Sequence, residues 1–491
     1  MDSNSSTLNR SLGLVGLTAT GVCSMIGASI YVVPFMIQRN VPGIGPYVLP
    51  AFLFASIPAI FAALAYSMLA SAMPRAGGSY LYASRSLHPF WGFVASFSQW
   101  FGLSIVIGVI AYVVVPFFRD VAQALDWTML ANWLDQGLVR VVLALVLLWF
   151  FIGINILGLS FYERTLIPLM ILMFVLGLVV IGGGLSYTQE EFLAALALKE
   201  GRSVDLIEVP FNWTTFLSAS AILFSSYIGF DSIAQAGGEA KNPVRNLPRA
   251  IGLAITVVGF FYISFTYSVY HTVPWQFVAE EAQSKDLTAA GLLSLLLPAG
   301  IGIAILLGAA IALLNDLPAM ILSVSRLVFA WAEDGIFPKK LADIHPKYQT
   351  PVPAILLSGA VSSLGILGSH FAGDFFLGID IMVTSMLVNF IFMCLSVAWL
   401  PKRNPTLATQ ILIFPNQFLR AIIVGIGLIF LLSFLGIHTY KDLNASVDAW
   451  YFHSTWIWLI VMGMASLLFF FRWKKLKEAD PSLLEKFSKL P

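Results

Sequence analysis

Long apolar runs, separated by short polar stretches, dominate the chain. Runs of about 20 residues without charge recur, and about 20 apolar residues carry a helix across the hydrocarbon of a bilayer. The pattern predicts crossings near 12–36, 45–72, 88–118, 138–158, 164–184, 213–236, 248–271, 290–330, 352–370, 375–400, 411–436 and 450–471. The eighth run is too long for one crossing and is expected to begin with an interfacial piece. An unsatisfied backbone amide is costly in lipid, so these runs must be helices rather than open strands.

Composition agrees with the pattern. Of 491 residues, 58% are hydrophobic and 11% charged, against about 25% charged in soluble domains. Such a chain cannot cover a water-soluble surface, and a lipid bilayer is its expected surroundings. The net charge of +1 offers nothing to a nucleic acid. All but seven of the 27 Lys and Arg residues fall on the side of the N-terminus, the seven being Arg39, Arg119, Arg140, Lys199, Arg202, Lys285 and Lys441. By the positive-inside rule both termini are cytoplasmic, and a plasma membrane, or the inner membrane of a bacterium, is the expected location. The organisation read from this is a cytoplasmic segment 1–11, a membrane domain 12–472 and a basic, solvated tail 473–491. Cys23 and Cys394 lie in apolar runs and are expected as buried free thiols. The chain lacks a Walker sequence or a His-Glu-x-x-His pair, and its six His are scattered. No enzyme, metal or cofactor is expected.

Two predicted helices carry residues that suit a break. The first has Met25-Ile26 followed by Gly27-Ala28-Ser29; the sixth has Ser225-Ser226-Tyr227-Ile228-Gly229-Phe230-Asp231. Small residues can simply let helices pack closely. They also permit unwinding, which frees amides for a carboxylate and carbonyls for an ammonium where a cavity satisfies them. The two motifs open the two halves of a five-plus-five arrangement, which favours the second reading.

Three motifs carry a resemblance. The sixth crossing continues into Gly238-Glu239-Ala240-Lys241-Asn242-Pro243 and Arg245-Asn246-Leu247-Pro248. The second ends in Met73-Pro74-Arg75-Ala76-Gly77-Gly78-Ser79-Tyr80. The eighth gives Ser325-Arg326, then Glu333-Asp334-Gly335-Ile336-Phe337-Pro338 and Thr350-Pro351. Together they resemble the amino acid–polyamine–organocation permeases over nearly the whole chain. The resemblance implies an all-α membrane protein of about twelve helices with a leucine-transporter-like inverted repeat of helices 1–5 and 6–10. It implies a secondary transporter of amino acids or small amines working by alternating access. Carried over by position, it puts a cargo carboxylate at Gly27, Ala28 and Ser29. It puts the amino group at the carbonyls of Met25 and Ile26 and near Ser225 and Ile228, with Gly229 in the break and Tyr227 and Phe230 as an outer lid. The chain departs from the family at Ser29, where glycine is usual, and at Met68, where glutamate is usual. It also has no lysine in the fifth helix.

Ionisable groups at membrane depth are functional candidates. Asp231 either organises the sixth helix or carries a proton. Asp316 either bonds to helix ends, meets a cationic cargo or carries a proton. Asp380 is expected at a solvated mouth. Ser323 and Ser325 stand where hydroxyls of a sodium site would lie, but serines also bond back to their own helix. Proton coupling or exchange is favoured over sodium. Arg75, Glu163, Arg164, Glu239 and Arg326 are expected to form an inner gate of exposed ion pairs. The competing readings are a polyamine or organic-cation carrier, for which Asp316 speaks, and a non-transporting amino-acid sensor. Oligomeric state is not legible.

Overall fold

The computed structural model describes residues 8–27, 29–284, 287–372, 375–447, 449–480 and 482–490. Twelve helices among them are long and apolar enough to cross a membrane. They are Leu14–Asn40, Gly45–Ala72, Pro89–Ala124, Gly137–Ile156, Leu159–Leu185, Trp213–Gln235, Pro243–Thr272, Ala299–Glu333, Val352–Phe371, Leu377–Arg403, Gln417–Leu443 and Ser454–Ala479. The over-long eighth run resolves as expected, into a separate helix Ala289–Leu293 and a crossing that starts after Pro298. The eleventh starts later than its apolar run, because Asn416 caps it by accepting the Phe418 and Leu419 amides. The loop 185–212 is not irregular throughout: Thr188 and Glu191 form a capping box that starts a helix over Gln189–Glu200.

Two crossings are interrupted. The first runs as a helix over Leu14–Met25, turns at Ile26 (φ −88°, ψ 88°), and resumes over Ser29–Asn40. The sixth is helical over Trp213–Leu223 and tightens into a 3₁₀ turn over Phe224–Tyr227. It then extends at Ile228 (φ −78°, ψ 135°) and re-forms only as Ser232–Gln235. Gly229 makes this possible. Its φ of 137° lies in the region that favours glycine, and a Cβ there would run into the carbonyl of Ser24. The two interruptions therefore touch, backbone to backbone.

Burial places these helices at the centre. The apolar window of the first crossing is 94% buried and that of the sixth 89%, whereas those of the fifth and twelfth are 22% and 28% buried. The third crossing packs against the eighth, ninth and tenth and fills the space beside them. Peripheral helices present Phe150, Ile171, Phe260 and Phe471 outward, as a lipid-facing surface requires.

The C-terminal tail departs from the expected solvated flank. Arg85 forks onto Asp334, with one bond of 2.9 Å, and its Nε donates to the Lys489 carbonyl at 3.2 Å. Phe487 lies over the Arg85 guanidinium at 4.7 Å and against Trp473. Asn404 donates to the Ser488 carbonyl at 2.7 Å. Phe487 and Leu483 are buried against the bundle, while the lysines of the tail stay exposed. Cys23 and Cys394 are buried and free.

Candidate functional site

A small cavity of about 50 Å³ lies where the two interruptions meet. The first crossing contributes Ser24, Met25, Gly27 and Val33, and the sixth Ser225 and Ile228. The third supplies Val106, Val109 and Ile110, the eighth Leu313, Asp316 and Met320, and the tenth Ile379 and Met382. Of the residues expected at the site, Met25, Gly27, Ser225, Ile228 and Asp316 reach it. Ala28 and the Ser29 side chain lie outside the described residues. The remaining expected residues point elsewhere. Ile26 is buried in the core and absent from the lining. Gly229 is the joint between the crossings. Tyr227 is fully buried, donates to the Phe52 carbonyl at 3.3 Å and packs on Phe52 and Tyr262. Phe230 stacks on Phe390, ring centres 5.1 Å apart, and meets Tyr66 edge-on. Neither aromatic covers the cavity in this state.

The expected free carbonyls are partly engaged. The Met25 carbonyl accepts the Tyr262 hydroxyl and, at 3.2 Å, the Gly27 amide. The Ser225 carbonyl accepts the Ile228 amide at 3.2 Å.

Asp316 and Asp231 differ sharply. Asp316 is 3% exposed, and its Oδ1 has no hydrogen-bond partner among the described residues. Its Oδ2 faces Gly27 so closely that a Cβ on Gly27 would come within 2.5 Å of it. The neighbouring Asn315 donates to the Cys23 sulfur at 2.8 Å and fixes this turn of the eighth crossing against the first. Asp231 is fully buried, and both its oxygens are engaged. Oδ1 accepts the Gly229 amide at 3.2 Å, and Oδ2 accepts from Gln99 Nε2. Gln99 belongs to a polar cluster with Ser79, Gln235 and Asn389, and Asp231 does not line the cavity.

Ser325 donates to the Leu322 carbonyl and accepts from Arg326, both at 2.9 Å, while the buried Ser323 hydroxyl has no partner among the described residues. They are thus not a matched pair of free hydroxyls. Asp380 is half-buried near Lys441 and His438 at the other end of the bundle.

The inner cluster needs a correction. Arg326 and Glu239 do pair, but each side chain is 1% exposed, so this is a buried ion pair and not an exposed one. Arg75 and Arg164 are exposed, and the Glu163 carboxylate lies against Gly16. The reason is local. The chain after the sixth crossing pairs with Leu12 through the Glu239 carbonyl (3.0 Å) and the Lys241 amide (2.8 Å), which draws Glu239 beneath the first helix.

The cavity walls carried no distinctive sequence signal. Val106, Ile110, Leu313 and Met382 lie on helices that are apolar all round, and only the packing shows which of their faces line the space.

Twelve apolar crossings, two of them interrupted beside a cavity with one carboxylate among the described residues of its wall, define a polytopic membrane protein of the transporter class. Comparison with known sequences agrees: a profile described as amino acid permease matches residues 12–466, and the chain belongs to that family. It is 26% identical to the mouse (Mus musculus) cationic amino acid transporter 4 over 373 residues, 73% of this chain and 55% of that protein. It thus spans about half the length of that relative. It is 26% identical to the branched-chain amino acid permease BcaP of Bacillus subtilis over 422 residues, 82% of this chain and 84% of that protein. It is also 25% identical to the methylthioribose transporter of the same organism over 455 residues, 89% and 90% of the two chains.

Proposed function

We propose that this chain is a secondary transporter for amino acids and closely related small amines, working by alternating access across a plasma membrane with both termini in the cytoplasm. The observation that carries the reading is the cavity at the contact between the interrupted first and sixth crossings. Interrupted helices at mid-membrane are tolerated where they line a cavity, and their ends supply polar groups to a cargo. The family and the cationic and branched-chain carriers within it support an amino acid as cargo. The likeness to a methylthioribose carrier shows that family membership leaves the cargo open. A small organic amine is the second reading, favoured by Asp316 Oδ1, which has no hydrogen-bond partner among the described residues.

Coupling to protons, or exchange, fits better than coupling to sodium. Asp316 offers a carboxylate that a proton or a cation must neutralise, whereas Ser325 is already bonded to its own helix and to Arg326. The Arg326–Glu239 pair lies ten residues from Asp316, about 15 Å along the eighth crossing, and closes the end of the bundle that carries both termini.

The test is uptake into proteoliposomes of labelled amino acids and amines, under imposed pH gradients and with Na⁺ replaced by K⁺. Saturable uptake that survives removal of Na⁺ and is lost in Gly27→Val is expected. Undiminished uptake in Gly27→Val would place the cargo elsewhere.

A further inference from the structure

We infer that Asp316 occupies the position of a cargo carboxylate, so that the site selects a primary monoamine with an apolar body and no carboxylate of its own. The inference rests on reading this cavity as the cargo site and takes the second reading of the cargo, a small amine, in place of an amino acid.

Four observations lead to it. First, at Gly27, one of the three positions expected to hold a zwitterion's carboxylate, the place is taken from within. The Gly27 amide is bonded to the Met25 carbonyl at 3.2 Å, and the space over the Gly27 Cα holds Asp316 Oδ2. Asp316 Oδ2 takes that space in either protonation state, and when ionised it would repel a second carboxylate, most strongly in a buried site. Second, nothing in the wall compensates it. Among the described residues the lining has no Lys, Arg or His, and Asp316 is its one charged residue. Third, Asp316 Oδ1 is buried and unpartnered. A buried anion without a counter-charge is expensive, and an ammonium brings both positive charge and three N–H donors to it. Fourth, the rest of the wall is apolar, with Val106, Ile110, Leu313, Met320, Ile379 and Met382 facing the space. The methionines adapt to irregular apolar shapes. A diamine would leave its second ammonium against these side chains without a partner, so the preference is for one amino group.

Matched pairs test this on the purified full-length protein in detergent, by calorimetric titration and ligand-induced thermal shift. The pairs are leucine with isopentylamine and phenylalanine with 2-phenylethylamine, with cadaverine as the diamine. The expected result is that each monoamine binds at least ten-fold more tightly than its parent amino acid and than cadaverine. Leucine or phenylalanine binding as tightly as its own amine would overturn the inference and leave the transporter reading intact, as would tighter binding of cadaverine. These comparisons need only the unmodified protein. Asp316→Asn is expected to lose at least ten-fold in monoamine affinity, and retention of affinity would also overturn the inference. Met320→Trp, which fills the cavity, separates the two levels. Unchanged amine binding in that variant would show that the cavity is not the cargo site and would remove the proposed function as well. Binding of none of these compounds counts against both.

Discussion

Arg326 and Glu239 are joined by a two-bond fork, Nη2 to Oε1 at 2.6 Å and Nε to Oε2 at 3.1 Å, with each side chain 1% exposed. Removing one member of a buried pair leaves an uncompensated charge, at a cost of about 3–5 kcal/mol. Arg326→Ala and Glu239→Ala should each lower the melting temperature markedly in detergent. The double variant should be less destabilised than the sum of the singles. Strict additivity would mean that the fork contributes no coupling.

The two buried aspartates should answer the same substitution with opposite signs. Asp231 accepts from the Gly229 amide and from Gln99, so Asp231→Asn exchanges an acceptor for a donor and strands a partner. A loss of about 1–3 kcal/mol is expected. Asp316 Oδ1 accepts nothing from the described residues; Asp316→Asn removes a charge that lacks a partner there and should leave the cargo-free melting temperature unchanged or raised, while cargo uptake is lost. Melting curves of the two variants beside the wild type, without cargo, decide this. A lower melting temperature for Asp316→Asn would mean that the carboxylate is structural.

Gly229→Ala should fail where Gly252→Ala succeeds. At 229 the backbone φ is 137° and an added methyl meets the Ser24 carbonyl, whereas at 252 nothing lies within 4 Å. Gly252 is inside the helix Pro243–Thr272, where alanine is favoured by about 0.5–1 kcal/mol. Thermal stability and cargo binding should both drop for Gly229→Ala; for Gly252→Ala stability should hold or rise. Full binding by Gly229→Ala would show that the joint tolerates side chains.

His88 supplies a pH dependence that has nothing to do with cargo. Its Nδ1 accepts the Phe90 amide at 3.2 Å and caps the third crossing. Burial first, and then Arg403 and Lys477, lower its pKa below the ordinary His value. The folded protein therefore prefers the neutral ring. The stability due to the cap is complete above about pH 6.5 and is lost as pH falls through the lowered value. A helix N-cap is worth about 1 kcal/mol. Between pH 7 and 5 the wild type should lose more thermal stability than His88→Asn, whose amide oxygen still caps. Parallel pH curves would exclude the cap as the cause.

Much of this architecture was legible because a bilayer imposes simple rules. Charge-free length gave the crossings, and Pro298 shows why the eighth run splits. The clusters around Gly27 and Gly229 marked the two interruptions, although the residues that leave the helix are Ile26 and Ile228 and only the positive φ at 229 calls for glycine. The burial of Glu239 was not legible, because it depends on a pairing with Leu12 made through backbone atoms more than two hundred positions away. Nor was the direction of Phe230, which turns onto Phe390 instead of the cavity: a residue next to a break has no helical phase from which to read its face. The tail followed the same rule in reverse. Its lysines are exposed as their charge suggests, and Leu483 and Phe487, apolar residues between them, turn onto the bundle.

The backbone contact between Gly229 and Ser24 divides the site into parts that differ in how freely they can be retooled. On the Gly229 side of the joint there is no side chain to exchange. A change there must be answered by the facing strand of atoms, so single substitutions have almost no viable route. The walls from the third, eighth and tenth crossings meet the cavity through Val, Ile, Leu and Met, which can be enlarged or trimmed by a methyl group at a time. A laboratory selection for new cargo would therefore be expected to collect its changes at 106, 110, 313, 320 and 382, leaving 229 untouched.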